Sequence, residues 1–190
     1  MEHDARTRKA RLLLALYAAC TLAIMGFIFF MSAQEGEESS SMSDAIAQWL
    51  LSLFVPGFGS WAPAAQEQLY STLTLLVRKA AHMFEYAVLA VCSMLTVRQA
   101  ALVRQMNDAQ RAGEDAGACS AMGKHALAAF CIASAYAATD EFHQLFVAGR
   151  SALATDVLID ACGAALGALA LAALLWQRQR KQSTEAAGTD

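Results

Sequence analysis

DEFHQLFVAGRSALATDVLIDACGAALG, residues 140–167, is the stretch whose reading decides the fold. It lies in the most hydrophobic third of the chain, yet carries Asp140, Glu141, His143, Gln144, Arg150, Asp156 and Asp160. Ionisable side chains are expensive in a bilayer, so within an apolar run they mark a functional site with partners nearby. The rest of the chain must then supply those partners at matching depth.

Composition supports a membrane setting. Of 190 residues, 57% are hydrophobic and only 16% charged, against roughly 25% charged in ordinary soluble domains. The net charge of −3 says nothing of nucleic acid by itself; the basic residues lie in separated clusters with no basic stripe, and no nucleic-acid partner is expected. The five cysteines (Cys20, Cys92, Cys119, Cys131 and Cys162) are odd in number and form no CxxC pair. The four in apolar runs, Cys20, Cys92, Cys131 and Cys162, read as small buried hydrophobes rather than a disulfide framework or a zinc site. Two prolines and 11 glycines suit a mostly helical chain.

Outward from the opening stretch, the apolar runs define four spans. Arg6, Arg8, Lys9 and Arg11 precede an uncharged run over 12–31, about 20 residues, which matches a ~30 Å hydrocarbon layer at ~1.5 Å per residue. A signal peptide also begins basic and then apolar. This run is longer than an h-region and lacks an A-x-A exit, which favours an uncleaved membrane helix. Residues 32–70 contain no Lys or Arg but five acidic residues, Glu35, Glu37, Glu38, Asp44 and Glu67. Within them Ile46, Trp49, Leu50, Leu53 and Phe54 recur at helical spacing, between a Ser43 or Asp44 cap and Pro56-Gly57. That pattern predicts a short interfacial helix anchored by Trp49, Phe54, Phe58 and Trp61. A small soluble lobe packed on itself is the alternative. From Pro63 one long helix can run into the second span, 78–97; the third covers 125–147 and the fourth 153–176. The 98–124 loop, small and polar around Gly113 to Gly123, reads as mobile, and 177–190 as a disordered tail.

Every Lys and Arg except Arg78, Lys79 and Arg150 lies in the N-terminal segment, the 98–124 loop or the tail. The positive-inside rule therefore places both termini and the middle loop in the cytoplasm. The fold expected is an all-α membrane protein, one four-transmembrane-helix bundle over 12–176.

Depth then brings the polar residues together. Counting about twenty residues back from Val97 puts Arg78 and Lys79 at the outer interface, with His82 and Glu85 roughly 6 and 10 Å deeper. Asp140 and Glu141 sit just beneath the outer boundary of the third span, and Asp156 opens the fourth with Asp160 one turn below. Arg78, His82 and Glu85 share one helix face; Asp156, Asp160, Gly163 and Gly167 share another, where the glycines allow close helix approach. Tyr136, Asp140 and His143 line a third stripe.

Several chemistries fit this set. A carboxylate beside a histidine can act as general base and acid. His82-x-x-Glu85 and Asp140-x-x-His143 each place two metal-ligand types on one face, so a divalent metal is one cofactor the types allow. Arg78, Lys79 and Arg150 can hold a phosphate or carboxylate headgroup. The plain alternative is a salt-bridge network locking the helices together.

Two segments, RKAAHMFEY over 78–86 and DEFHQLFVAGR over 140–150, followed by Asp156, Asp160, Gly163 and Gly167, resemble the VanZ-like family of bacterial membrane proteins. Ser32 and Gln34 match a Ser and Gln that the family carries after its first span. Met83 departs from the pattern, which has an aromatic residue directly after the histidine. The resemblance implies a four-helix domain of the bacterial cytoplasmic membrane and fixes no biochemical activity. The family name comes from a member linked to reduced susceptibility to the glycopeptide teicoplanin.

The expected function is a site at the outer leaflet that binds or processes an anionic lipid or envelope-precursor headgroup. His82, Glu85, Asp140, Glu141 and Asp156 are the candidates for chemistry. Arg78, Lys79, Tyr86, His143, Gln144, Arg150 and Asp160 are the candidates for binding. The competing class is a non-enzymatic structural or partner-binding membrane protein. A proton-coupled transporter fits less well, because four spans are few and the acidic residues stop near the outer third.

Overall fold

A computed structural model describes residues 2–34, 36–112, 122–149 and 153–187. Five α-helices account for nearly all of them: α1 (Glu2–Ser32), α2 (Gly36–Phe54), α3 (Pro63–Ala112), α4 (Met122–Gln144) and α5 (Ala154–Ala187). A 3-10 turn, Phe58–Ser60, joins α2 to α3, and no strand occurs among the described residues. Three helical stretches are long and apolar enough to cross a membrane: Asp4–Ser32, Pro63–Asp108 and Ala154–Glu185. α4 falls outside that group because Lys124 and His125 at one end and Asp140, Glu141 and His143 at the other leave too short an apolar stretch between them.

α3 is the centre of the assembly and packs against all four other helices. Its 50 residues reach about 75 Å at ~1.5 Å per residue, well beyond a ~30 Å hydrocarbon layer. It runs from Pro63 without interruption because no proline or glycine lies between Ala64 and Ala112.

Polar contacts give the directions. Gln99 Nε2 donates to the Ala10 carbonyl at 3.1 Å, and Thr21 and Thr96 hydroxyls meet at 3.0 Å, so α1 and α3 run antiparallel. Tyr136 reaches Met25 and Asp140 reaches Ser32, so α1 and α4 run parallel. Lys79 pairs with Asp156 while Met83 and Ala87 face Gly163 and Gly167, so α3 and α5 run parallel. The four long helices therefore alternate up and down.

The interior is narrow and built from small residues. Ala133 and Ala137 of α4 and Ala164 and Ala168 of α5 surround Ile28, Tyr86, Leu89 and Ala90. A Cβ on Gly163 would overlap the Met83 backbone, and one on Gly167 the Ala87 backbone. Glycine at these two positions lets the α3 and α5 backbones touch, as small residues do between helices in lipid. Large apolar side chains instead face outward, among them Leu22, Phe30, Phe84, Leu158 and Leu169. Small residues inside and large apolar ones outside is the pattern of a bundle solvated by hydrocarbon.

Four expectations need correction. Cys20, Cys131 and Cys162 are free and exposed, and Cys92 is half-buried; on helices apolar all round, a small apolar residue sits as well against lipid as against protein. The 98–124 segment is helical as far as Ala112 and again from Met122; Gly113 and Cys119, with the mobility expected there, lie outside the described residues. The tail stays helical through Ala187, because Gln, Arg, Lys, Glu and Ala are good helix formers even when solvated. Arg180 lies 4.6 Å over the Trp176 ring on this last stretch. α4 ends at Gln144 rather than Val147, and the residues after it continue as turns to Gly149, which has φ 72°.

α2 is longer than the expected interfacial helix and folds back on the first turns of α3. Ser43, Ala47 and Leu51 are buried, and Thr74 donates to Asp44 at 3.0 Å. Its opposite face, with Met42, Ile46, Trp49 and Leu53, stays exposed.

Replacing Gly163 by Val is expected to force α3 and α5 apart and cost at least ~1–3 kcal/mol. Cys162→Val, on the exposed side of the same helix, should change stability by less than about 0.5 kcal/mol. Thermal unfolding of the two variants in detergent checks this; equal loss would contradict the contact.

Candidate functional site

The close approach of α3 and α5 positions the first pair of charged groups. Lys79 Nζ donates to Asp156 Oδ1 at 2.6 Å, with the two side chains 31% and 36% exposed. Beside this pair, at the end of the bundle that carries the polar residues, a cleft of about 170 Å³ opens between α3, α4 and α5. At ~30 Å³ per water it has room for about five waters or one small headgroup.

Three helices line the cleft. α3 contributes Arg78, Lys79 and His82, α4 contributes Glu141 and Gln144, and α5 contributes Asp156 and Asp160. Arg78 forms no ion pair among the described residues. Asp160 is 4% exposed and likewise lacks a hydrogen-bond or ion-pair partner among them. Glu141 Oε1 accepts the Leu153 backbone N–H at 2.5 Å, which ties the end of α4 to the start of α5.

The other expected site residues form a second layer, behind the cleft and against α1. Asp140 is 4% exposed; its Oδ2 accepts from Ser32 Oγ at 2.7 Å and from Gln144 Nε2 at 3.2 Å. Gln144 thereby links the two layers. Tyr136 donates to the Met25 carbonyl at 2.7 Å, and His143 packs on Phe29 with ring centroids 4.6 Å apart. The stripe of Tyr136, Asp140 and His143 therefore faces α1 and not the cleft. Tyr86 is fully buried, 6.4 Å from Tyr136 between ring centroids. Glu85 lies off the cleft, its carboxylate 3.8 Å from His82 Nδ1. Asp140 Oδ1, the Tyr86 hydroxyl and His143 Nδ1 are buried with no hydrogen-bond partner among the described residues. Arg150 lies outside the described residues.

This division separates the ligand types a metal would need. Among the described residues no three His, Cys, Asp or Glu side chains gather closely enough to hold a metal ion. The HxxE and DxxH spacings are present, but Asp140 and His143 turn toward α1 while His82 turns toward the cleft.

Three contributions were missing from the expected site. Ser32, whose sequence signal is its match to the family pattern after the first span, serves as the donor to Asp140. The Leu153 N–H is a backbone donor and has no sequence signature. Gly149, in the left-handed turn after α4, also borders the cleft.

The fold and the site define a helical, membrane-like protein in which apolar helices enclose a two-layer polar cluster. The VanZ/LLP1 family profile matches residues 17–176, and the chain belongs to that family. Comparison with curated proteins and with solved structures gives no significant match.

The two layers should differ in energetic weight. Ser32→Ala removes a buried hydrogen bond to a carboxylate and is expected to cost about 1.5–3 kcal/mol. The partly exposed Lys79–Asp156 pair should show a coupling of only ~0.5–1 kcal/mol in a double-mutant cycle. Unfolding titrations in detergent measure both; a Ser32→Ala cost below the pair's coupling would contradict the assignment.

Proposed function

We propose that the chain crosses the bacterial cytoplasmic membrane four times and holds its cleft open to the outer leaflet. There it binds an anionic headgroup of a lipid or a cell-envelope precursor. The observation that carries this reading is Arg78, a guanidinium lining the cleft beside Lys79 and without an ion pair among the described residues. A guanidinium presents a planar fork of donors that suits phosphate or carboxylate oxygens.

The topology rests on direction and charge. α4 runs beside α1 and counter to α3 and α5, so a membrane crossed by those three is crossed by α4 as well. Its own apolarity need not be high, because Ala129, Ala133 and Ala137 face the other helices rather than lipid. With the basic segments inside, both termini are cytoplasmic and the α4–α5 turn faces outward. The exposed stripe of Met42, Ile46, Trp49 and Leu53 on α2 then lies in the outer interface.

Processing of the headgroup is an extension of the same reading. His82 and Glu141 line the cleft and are the pair placed for acid–base work, with Asp156 holding Lys79. Glu85 and Asp140 lie off the cleft, so their part is to position the helices and His82. A link to teicoplanin-type glycopeptide susceptibility is an extension of this proposal that rests on the family resemblance alone, and membership of a family does not fix function.

A second reading has its own support. The Ser32–Asp140, Leu153–Glu141 and Lys79–Asp156 contacts each join two helices, as a non-enzymatic structural or partner-binding protein would need. Arg78 separates the two. On the binding reading, Arg78→Gln keeps the membrane level of the protein near wild type but lowers co-purified phospholipid or lipid-linked precursor severalfold. Undiminished lipid in Arg78→Gln, or loss of the protein itself, would favour the structural reading. Asp140→Ala, in contrast, should lower protein level on either reading.

A further inference from the structure

The cleft holds two opposite charges that do not meet. Lys79 and Asp156 satisfy each other at 2.6 Å, which leaves Arg78 on the α3 wall and Asp160 on the α5 wall. Both line the same space, and no ion pair joins them. Asp160 is 4% exposed. A carboxylate so withdrawn from water is unfavourable until a cation or donor is brought to it. Among the described residues none is.

We propose that the cleft is shaped for a zwitterion. The ligand's anionic group, a phosphate or carboxylate, sits at Arg78, and a primary ammonium sits at Asp160, with Glu141 bordering the same space. On the register set by Met83 on Gly163 and Ala87 on Gly167, Asp160 is level with Ala80, two residues or ~3 Å further along the axis than Arg78, on the opposite wall of the cleft. A short spacer keeps both of the ligand's charges within a cleft of about 170 Å³. A purely anionic headgroup would leave Asp160 without a counter-charge and place it near like charge. A quaternary ammonium carries no N–H to give the carboxylate. The inference rests on the headgroup reading above and names the chemistry of that headgroup.

Native mass spectrometry of the purified full chain tests it. The protein is offered equal amounts of phosphatidylethanolamine, phosphatidylglycerol and phosphatidylcholine with the same acyl chains. Phosphatidylethanolamine should be captured over the other two by roughly tenfold, the scale of one charge-assisted hydrogen bond. Asp160→Asn should bring the ratio close to one, and Asp160→Glu should keep it. Soluble phosphoethanolamine, offered without lipid, distinguishes the sources. Capture of the soluble compound but not of the lipid assigns a free zwitterion; capture of the lipid assigns a headgroup. Phosphatidylglycerol captured as well as phosphatidylethanolamine, with no effect of Asp160→Asn, overturns the zwitterion and leaves an anionic-headgroup site. Failure of every probe to bind contradicts the headgroup reading itself.

Discussion

The bundle depends on two positions where α5 has no side chain. Gly163 and Gly167 lie directly on the backbone of Met83 and Ala87. In hydrocarbon, apolar side chains gain little by leaving lipid for protein, so helix association has to come from close packing and polar contacts. These glycines supply the close packing. They also fix the register: with Met83 on Gly163 and Ala87 on Gly167, Lys79 falls level with Ile159, one turn from Asp156 and within reach of it for a long side chain. The ion pair is therefore a consequence of the glycine contact and adds little energy of its own at its exposure.

From that register follows the division of the polar residues. α3 and α5 come together along their backbones but leave a cleft where Arg78, His82 and Asp160 meet Glu141 and Gln144 of α4. Behind it, Asp140 turns away toward Ser32, and Tyr136 and His143 turn toward α1. One layer joins helices through the Ser32–Asp140, Gln144–Asp140 and Tyr136–Met25 hydrogen bonds. The other faces a space. The orphaned Asp140 Oδ1 and Tyr86 hydroxyl lie at the boundary between them, where a buried water would find polar partners.

Much of this was legible in the sequence, and the rest was hidden for identifiable reasons. The helices follow from uninterrupted apolar runs, and α3 from the absence of any breaker after Pro63. The shared face of Asp156, Asp160, Gly163 and Gly167 follows from 3.6-residue periodicity alone. The same periodicity puts Tyr136, Asp140 and His143 on one face but cannot say which neighbour that face meets. The Ser32–Asp140 bond joins residues 108 apart in sequence, and the Glu141 partner is a backbone N–H; neither has a local signal. In helices apolar all round, hydrophobicity carries no information about which side is buried, and so the cysteines could not be placed. The polar ends of α3 and α5 are built of good helix formers, and polarity alone gives no sign that these helices run on past their apolar stretches.

The central claim is that α4, the long helix outside the three with a stretch long and apolar enough to cross, crosses the membrane with the others and carries the cleft to the outer face. Labelling with a membrane-impermeant maleimide tests it at the two ends of α4, in a chain whose native cysteines are replaced. Gly123 has nothing within 4 Å of an added Cβ, and Ala148 is exposed in the turn after the helix, so both accept cysteine. Ala148→Cys should label in intact cells, and Gly123→Cys only after the membrane is permeabilised. Labelling of both from one side would show that α4 does not cross, and would contradict the account.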